Sequence, residues 1–328
     1  MSGEKIRRYV GSRPWRFVVG LMEAGVVVAL GFAVLGLFAR WHWVLDLMAQ
    51  FRLQYFWAAM VGVVLFGVRR RRVWCGVCGV AAVVMGVSMA GYWVPRSGGG
   101  DGEVVGETLK LVSYNVYASN DRYEDVVAFL REENADVVLL LEVNWQWAGK
   151  LQELRELYPY EQGQVRAGSF GIRLMSKVPF SESAVKIIGE IGVPSVEVVI
   201  EALGGDLRLF GTHPAPPRGG DLSRFRNEQL VAMGRHLGEY RGEAMVVAGD
   251  MNVAPFSPHF REFLRATGLR DAARGYGLSP TWNRRVPWLT VPIDYVLVSE
   301  EIVVLEHRVG PALGSDHSPV IVTLGRRD

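Results

Sequence analysis

The chain has 328 residues and a formal net charge of only +2, long enough for one large α/β domain plus accessory material. The small sum hides a split at residue 100: residues 1–100 carry 12 Lys and Arg against 3 Asp and Glu, about +9, and residues 101–328 carry 24 against 31, about −7. An acidic C-terminal part argues against a protein that coats nucleic acid non-specifically, because such binding draws its affinity from cations that neutralise phosphates.

The first hundred residues contain three apolar runs. Phe17 to Ala39 is apolar apart from Glu23, Leu53 to Val68 carries no charge, and Val73 to Val94 carries none either. A bilayer crossing takes about 20 apolar residues, so the runs predict spans over 17–39, 53–68 and 73–94, the second being short. Trp15, Trp41, Trp43, Trp57, Trp74, Tyr92 and Trp93 gather near the ends, as aromatic side chains do at headgroup level. Glu23 lies near one end of its run, where snorkelling lowers its cost. Cys75 and Cys78 have zinc-like or redox-like spacing, yet no second ligand pair accompanies them, and they read as small residues of a membrane helix.

Lys5, Arg7, Arg8, Arg13 and Arg16 precede the first run, and Arg69, Arg70, Arg71 and Arg72 separate the second from the third. By the positive-inside rule both clusters are cytoplasmic, and with three crossings everything after Val94 is extracytoplasmic. The expected organisation is a multi-pass cell-membrane region over 1–94, with the lipid bilayer as partner, a flexible linker over 95–107 rich in Gly, and a domain over 108–328.

In that domain short apolar runs of strand character alternate with helical patterns. Strands are expected over 109–116, 136–143, 196–202, 207–212, 245–248, 293–298 and 320–324, and helices over about 121–133, 221–240 and 258–267, which describes an α/β protein with helix-covered sheets. Polar residues crowd the strand ends. Asn115 closes one strand, Glu142 the next, His213 another, and Gly249-Asp250-Met251-Asn252 another; Asp294 lies in Ile293-Asp294-Tyr295, and Ser315-Asp316-His317-Ser318-Pro319 opens the last strand.

Taken in order, these six elements resemble the motif series of the endonuclease/exonuclease/phosphatase superfamily, which includes DNase I-like nucleases, inositol polyphosphate 5-phosphatases and sphingomyelinases. The membrane-anchored arrangement resembles a bacterial subgroup of it. The resemblance spans about residues 109–325 and implies a four-layer α/β sandwich with the site where strand ends converge. It implies a hydrolase of phosphate esters dependent on Mg²⁺ or Mn²⁺, with a nucleic acid, a phospholipid headgroup or a small molecule as substrate. Within the resemblance, His213, Asp250, Asn252, Asp294 and His317 are the expected catalytic residues, and Asn115, Glu142 and Asp316 the expected metal residues. Arg173 and Arg218 are candidates for contact with substrate, and one of Arg224 and Arg226 is a further candidate.

One departure is notable: many nucleases of the group carry an acidic or polar residue two positions after the first Asn, where this chain has Tyr117, which favours a one-metal site. Fold membership does not choose the substrate. A phosphodiesterase or nuclease-like enzyme leads, with a lipid or small-molecule phosphatase and a catalytically silent phosphate-binding protein as the alternatives.

Overall fold

The computed structural model describes residues 13–94 and 106–327. The expected linker therefore lies almost wholly outside the described residues, as do Lys5, Arg7 and Arg8. The chain divides into two compact units, Met1–Ala90 and Gly91–Asp328.

The first unit is helical: α1 (Arg13–Leu35), α2 (Trp43–Ala49), α3 (Arg52–Val68) and α4 (Arg72–Trp93), the last ending inside the second unit. Among the described residues two helices are long and apolar enough to cross a membrane, Pro14–Phe38 and Arg72–Trp93. The expected middle span differs from its reading. It forms α3, whose 17 residues reach only about 26 Å, and α3 meets α2 at 60°, so a third crossing requires the bent pair together. The outward faces of α1 and α4 are apolar, with Phe17 67% and Val80 66% exposed. Glu23 is buried and does not rely on snorkelling: Arg69 Nε lies 3.4 Å and Arg71 Nη1 3.0 Å from its carboxylate. Opposite charge from the α3–α4 turn offsets the cost of burying it.

The second unit is built on two six-stranded mixed sheets. The strands are β1 (Leu109–Asn115), β2 (Val137–Leu141), β3 (Tyr160–Gln164), β4 (Ile172–Ser176), β5 (Phe180–Ile187), β6 (Pro194–Ala202), β7 (Gly205–Thr212), β8 (Met245–Asp250), β9 (Arg270–Asp271), β10 (Asp294–Val298), β11 (Ile302–Val309) and β12 (Val320–Arg326). One sheet runs β11-β12-β1-β2-β4-β3 and the other β5-β6-β7-β8-β10-β9. Side chains of one parity, such as Leu111, Leu139 and Leu174 from the first sheet and Val198, Leu209 and Val246 from the second, form the core between them.

Side chains of the other parity meet helices. Val112, Tyr114 and Leu140 pack with α5 (Tyr123–Glu133) and α6 (Trp145–Leu151), and Phe210, Val247 and Leu297 pack with α7 (Gly220–Gly238) and α8 (Pro258–Thr267). The result is four layers, helix on sheet on sheet on helix. Local chemistry sets the helix limits: Ser257 accepts from His259 N at the start of α8, Pro258 occupies its first turn, and Gly268 ends it in the left-handed region at φ 74°.

Among the described residues only two strand pairs are parallel, β1 with β2 and β7 with β8. Each pair delivers two C-terminal strand ends to the same edge of its sheet. The antiparallel neighbours β12 and β10 begin at those edges, with Val320 opposite Ser113 and Asp294 opposite Asp250. This topology brings the polar strand ends together.

Candidate active site

Asn115 is the last residue of β1, Glu142 follows β2, His213 follows β7, Asp250 ends β8 and Asp294 begins β10. His317 stands three residues before β12. All six side chains are buried, none more than 8% exposed. At the centre, Asn115 Nδ2 donates to Glu142 Oε1 and to Asp250 Oδ2, each at 3.2 Å, and lies 3.5 Å from His317 Nε2. His317 Nδ1 is 2.9 Å from Asp294 Oδ2, and His213 Nε2 is 3.4 Å from Asp250 Oδ2.

The charges are strongly coupled. Burial pushes the His317 imidazole down, but the carboxylates of Asp294 and Asp250 overcome it and lift the group to about 10. Burial likewise opposes charge on His213, and a hydrogen bond and charge from Asp250 raise it above its ordinary value. Asp250 is held below the usual carboxylate range: burial raises it, and the charge of His317 with the bond from His213 outweighs that. Asp294 is raised, chiefly by burial with the neighbouring charge of Asp250 adding to it. The surroundings thus favour the protonated form of His317 and the ionised form of Asp250, and oppose ionisation of Asp294.

The backbone around these side chains is constrained. Tyr117, Glu142 and Asn252 have φ of 62°, 63° and 50°, a region that non-glycine residues enter at a cost of about 1 kcal/mol or more each. Local hydrogen bonds accompany these conformations. Tyr117 N donates to Asn115 Oδ1, Ala118 N to Glu142 Oε2, and Asn252 N to Asp250 Oδ1. Asn252 also donates Nδ2 to the carbonyl of Pro214, tying the residue after His213 to the end of β8. Ser315 donates Oγ to the Asn115 carbonyl and accepts from His317 N, holding the histidine against β1.

The remaining expected residues lie elsewhere. Asp316 turns from the cluster and accepts from Trp282 Nε1 at 3.1 Å. Arg173 lies in β4 opposite Leu140, on the helix-covered face, and pairs with Glu161 at 3.4 Å. Arg218 is exposed in the loop after His213. Arg224 pairs with Glu228 on the surface of α7. Arg226 is fully buried and donates Nη1 to the Asn252 carbonyl at 3.0 Å, beneath the site and not in it. His236 is bound to Glu197, His259 stands by Asn227, and burial pushes His307 down to about 4.

Sequence reasoning passed over two neighbours of the cluster. The Trp282 ring lies 6.4 Å from that of His317, and the Arg285 guanidinium lies 4.7 Å from the Tyr117 ring centre. The fully buried Arg226 was legible in principle, since it shares the helix face of Ser223, Leu230 and Met233.

The donor set suits a hard divalent cation. Asp250, Asp294 and, as the neutral imidazole, His317 each have a ligand atom within 4.8 Å of the others, and Glu142 adds a carboxylate held by Asn115 and Ala118. Asp316 Oδ1 and His213 Nδ1 are buried without a hydrogen-bond partner, a state that ordinarily calls for a water or an ion.

Comparison with known proteins agrees with this fold. The second unit is similar in fold to an endonuclease/exonuclease/phosphatase from Beutenbergia cavernae, with TM-score 0.58 and 22% identity over 68% of this chain and 72% of that one. It is also similar to D. rerio TDP2 complexed with single strand DNA product, TM-score 0.55 and 18% identity over 66% of this chain and 99% of that one. Sphingomyelinase C from Streptomyces griseocarneus gives TM-score 0.51 and 20% identity over 66% and 99%. No curated protein matches. The model of the Endonuclease/Exonuclease/phosphatase family, a group of phosphoester hydrolases, matches residues 112–317, more than half of the chain and every one of the six strand-end residues, and the chain belongs to that family.

Proposed function

We propose that the chain is a membrane-anchored, divalent-metal-dependent phosphodiesterase, nuclease-like in its chemistry, with its second unit on the extracytoplasmic side. The observation that carries this reading is the Asn115 carboxamide, which joins Glu142 to Asp250 beside the His317–Asp294 pair. Phosphoester hydrolysis needs an activated water, neutralisation of phosphoryl charge and help for the departing oxygen. Mg²⁺ or Mn²⁺ supplies Lewis-acid neutralisation when bound.

In this reading Glu142, steadied by Asn115, is the principal metal carboxylate, and Asp316 stands behind His317 and adjusts its charge. Asp250, kept ionised by its two histidines, takes the proton of the attacking water. His317, kept cationic and oriented by Asp294, donates to a phosphoryl oxygen. His213 is the second acid, and Asn252 holds Asp250 and the His213 loop in register. The likeness to TDP2 complexed with single strand DNA product and to sphingomyelinase C supports a phosphodiester as the substrate class.

The orientation rests on the cation distribution, with Lys5, Arg7, Arg8, Arg13 and Arg16 before the first apolar run and Arg69 to Arg72 between the second and third. Three crossings then carry Val94 to the other side.

The test uses the full chain in detergent with bis-p-nitrophenyl phosphate, plasmid DNA and sphingomyelin vesicles. Hydrolysis is expected with Mg²⁺ or Mn²⁺, lost with EDTA, and reduced at least about 10³-fold in Asp250→Ala and His317→Ala. Unchanged hydrolysis in both variants overturns the mechanism. An alkaline phosphatase fusion after Gly100 is expected to be active, and an inactive one overturns the orientation.

A further inference from the structure

The segment from Trp282 to Val291 is closed at its base by an antiparallel bridge between those two residues. Two bonds fix it to the strand-end cluster through Asp316: Trp282 Nε1 donates to the carboxylate, and Arg284 N donates to the carbonyl at 2.9 Å. A third contact lies further out, where the Arg285 guanidinium covers the Tyr117 ring at 4.7 Å. Tyr117 is held in turn, because its N–H bonds Asn115 Oδ1 and its carbonyl accepts from Trp147 Nε1. Arg285 N donates to Asn283 Oδ1, which constrains the turn. The guanidinium therefore lies over the ring of a residue whose backbone is held at both its N–H and its carbonyl, two residues along the chain from the central Asn115.

Arg285 is exposed, and among the described residues no carboxylate pairs with it. Arginines elsewhere on this unit are commonly satisfied by acids, as Arg308 is by Glu133 and Arg224 by Glu228. A guanidinium stacked on an aromatic face keeps its edge N–H groups free in a planar fork that matches phosphate oxygens. Asn115, Asp250 and His317, where the reacting phosphoryl is read, are buried, whereas Arg285 is exposed on the Tyr117 ring.

We infer that Arg285 on Tyr117 is a specificity clamp for a second phosphate of the substrate, next to the one that is hydrolysed. The preferred substrate class is accordingly a phosphodiester that carries a neighbouring phosphate. This rests on the phosphodiesterase reading above. It also gives Tyr117 a purpose: the aromatic ring that replaces an acidic or polar residue carries a fixed cation toward the substrate.

The experiment compares two chromogenic esters that differ by one phosphate, the p-nitrophenyl ester of thymidine 5′-phosphate with and without a 3′-phosphate, and follows p-nitrophenolate release by the full chain. In the wild type the phosphorylated ester is expected to have at least about ten-fold higher kcat/KM. Arg285→Ala is expected to remove most of that preference through KM, Arg285→Lys to keep part of it, and Tyr117→Leu to weaken it by freeing the guanidinium. An equal loss on both esters, or a wild type with no preference, overturns the clamp. Hydrolysis of bis-p-nitrophenyl phosphate with neither thymidine ester cleaved overturns it while sparing the hydrolase. Failure on all three esters overturns the hydrolase reading itself, and the clamp with it.

Discussion

The carboxamide of Asn115 donates to Asp250 across 3.2 Å, and the two residues end strands of different sheets. The cluster is therefore a seam between sheets, held by a neutral donor placed among carboxylates. A neutral amide there relieves repulsion that a third acid would create.

Asn115→Asp tests this directly. A third buried carboxylate beside Glu142 and Asp250 is expected to cost about 3 kcal/mol in EDTA, seen as a lower melting temperature. Mg²⁺ is expected to restore part of the loss, because the cation offsets the added charge. A melting temperature indifferent to both substitution and metal would refute the electrostatic account.

Arg226 acts on Asp250 through the backbone. Its guanidinium holds the carbonyl of the left-handed Asn252, whose N–H caps Asp250 Oδ1. Arg226→Ala is expected to destabilise the unit by about 2–4 kcal/mol and to lower kcat about ten-fold or more with KM little changed. Arg226→Lys should recover part of both, and steady-state kinetics beside thermal melting separates the two effects.

Gly249 allows β8 to pass close to β7. A Cβ there would lie 1.9 Å from the Thr212 carbonyl oxygen, and the backbone at φ 140° already disfavours a side chain. Gly249→Ala is expected to destabilise the second unit by at least about 3 kcal/mol. Denaturant unfolding gives the number, and a loss below about 1 kcal/mol would contradict the steric argument.

Asp271 supplies a pH dependence outside the cluster. Burial raises its carboxyl from 3.8 to about 6, against the hydrogen bonds from Ala273 N and Tyr92 Oη that lower it. Because the folded value exceeds the unfolded one, the stabilisation is complete below about pH 4 and is lost as pH rises through 6, a difference of about 3 kcal/mol. Asp271→Asn is therefore expected to melt at a temperature with less dependence on pH between about 4 and 7 than the wild type. Parallel melting curves for the two proteins would count against the assignment.

The strands β1, β2, β6, β7, β8, β10 and β12 were legible because each is a buried run of β-branched and aliphatic residues bounded by turn residues. The strands β3 and β5 were not: their side chains are largely exposed or half-buried at sheet edges, so no apolar alternation marks them. In β11 only the first three residues are buried, which leaves a polar second half without a strand signal. The short α6 begins where Asn144 caps Trp147 N, a signal that seven residues are too few to reinforce.

By itself the order of residues determined the apolar helices, the charge asymmetry and the six polar strand ends, because hydropathy and motif spacing are local properties of the chain. Only the tertiary structure decided which polar residues meet. It drew His317 to Asp294 and Asn115 to Asp250 across two sheets, and gave Arg173 to Glu161 and Arg226 to the Asn252 carbonyl. The physical reason is strand polarity: two parallel pairs and their antiparallel neighbours bring distant chain positions to one edge, and pairing within that edge depends on register that no single segment encodes.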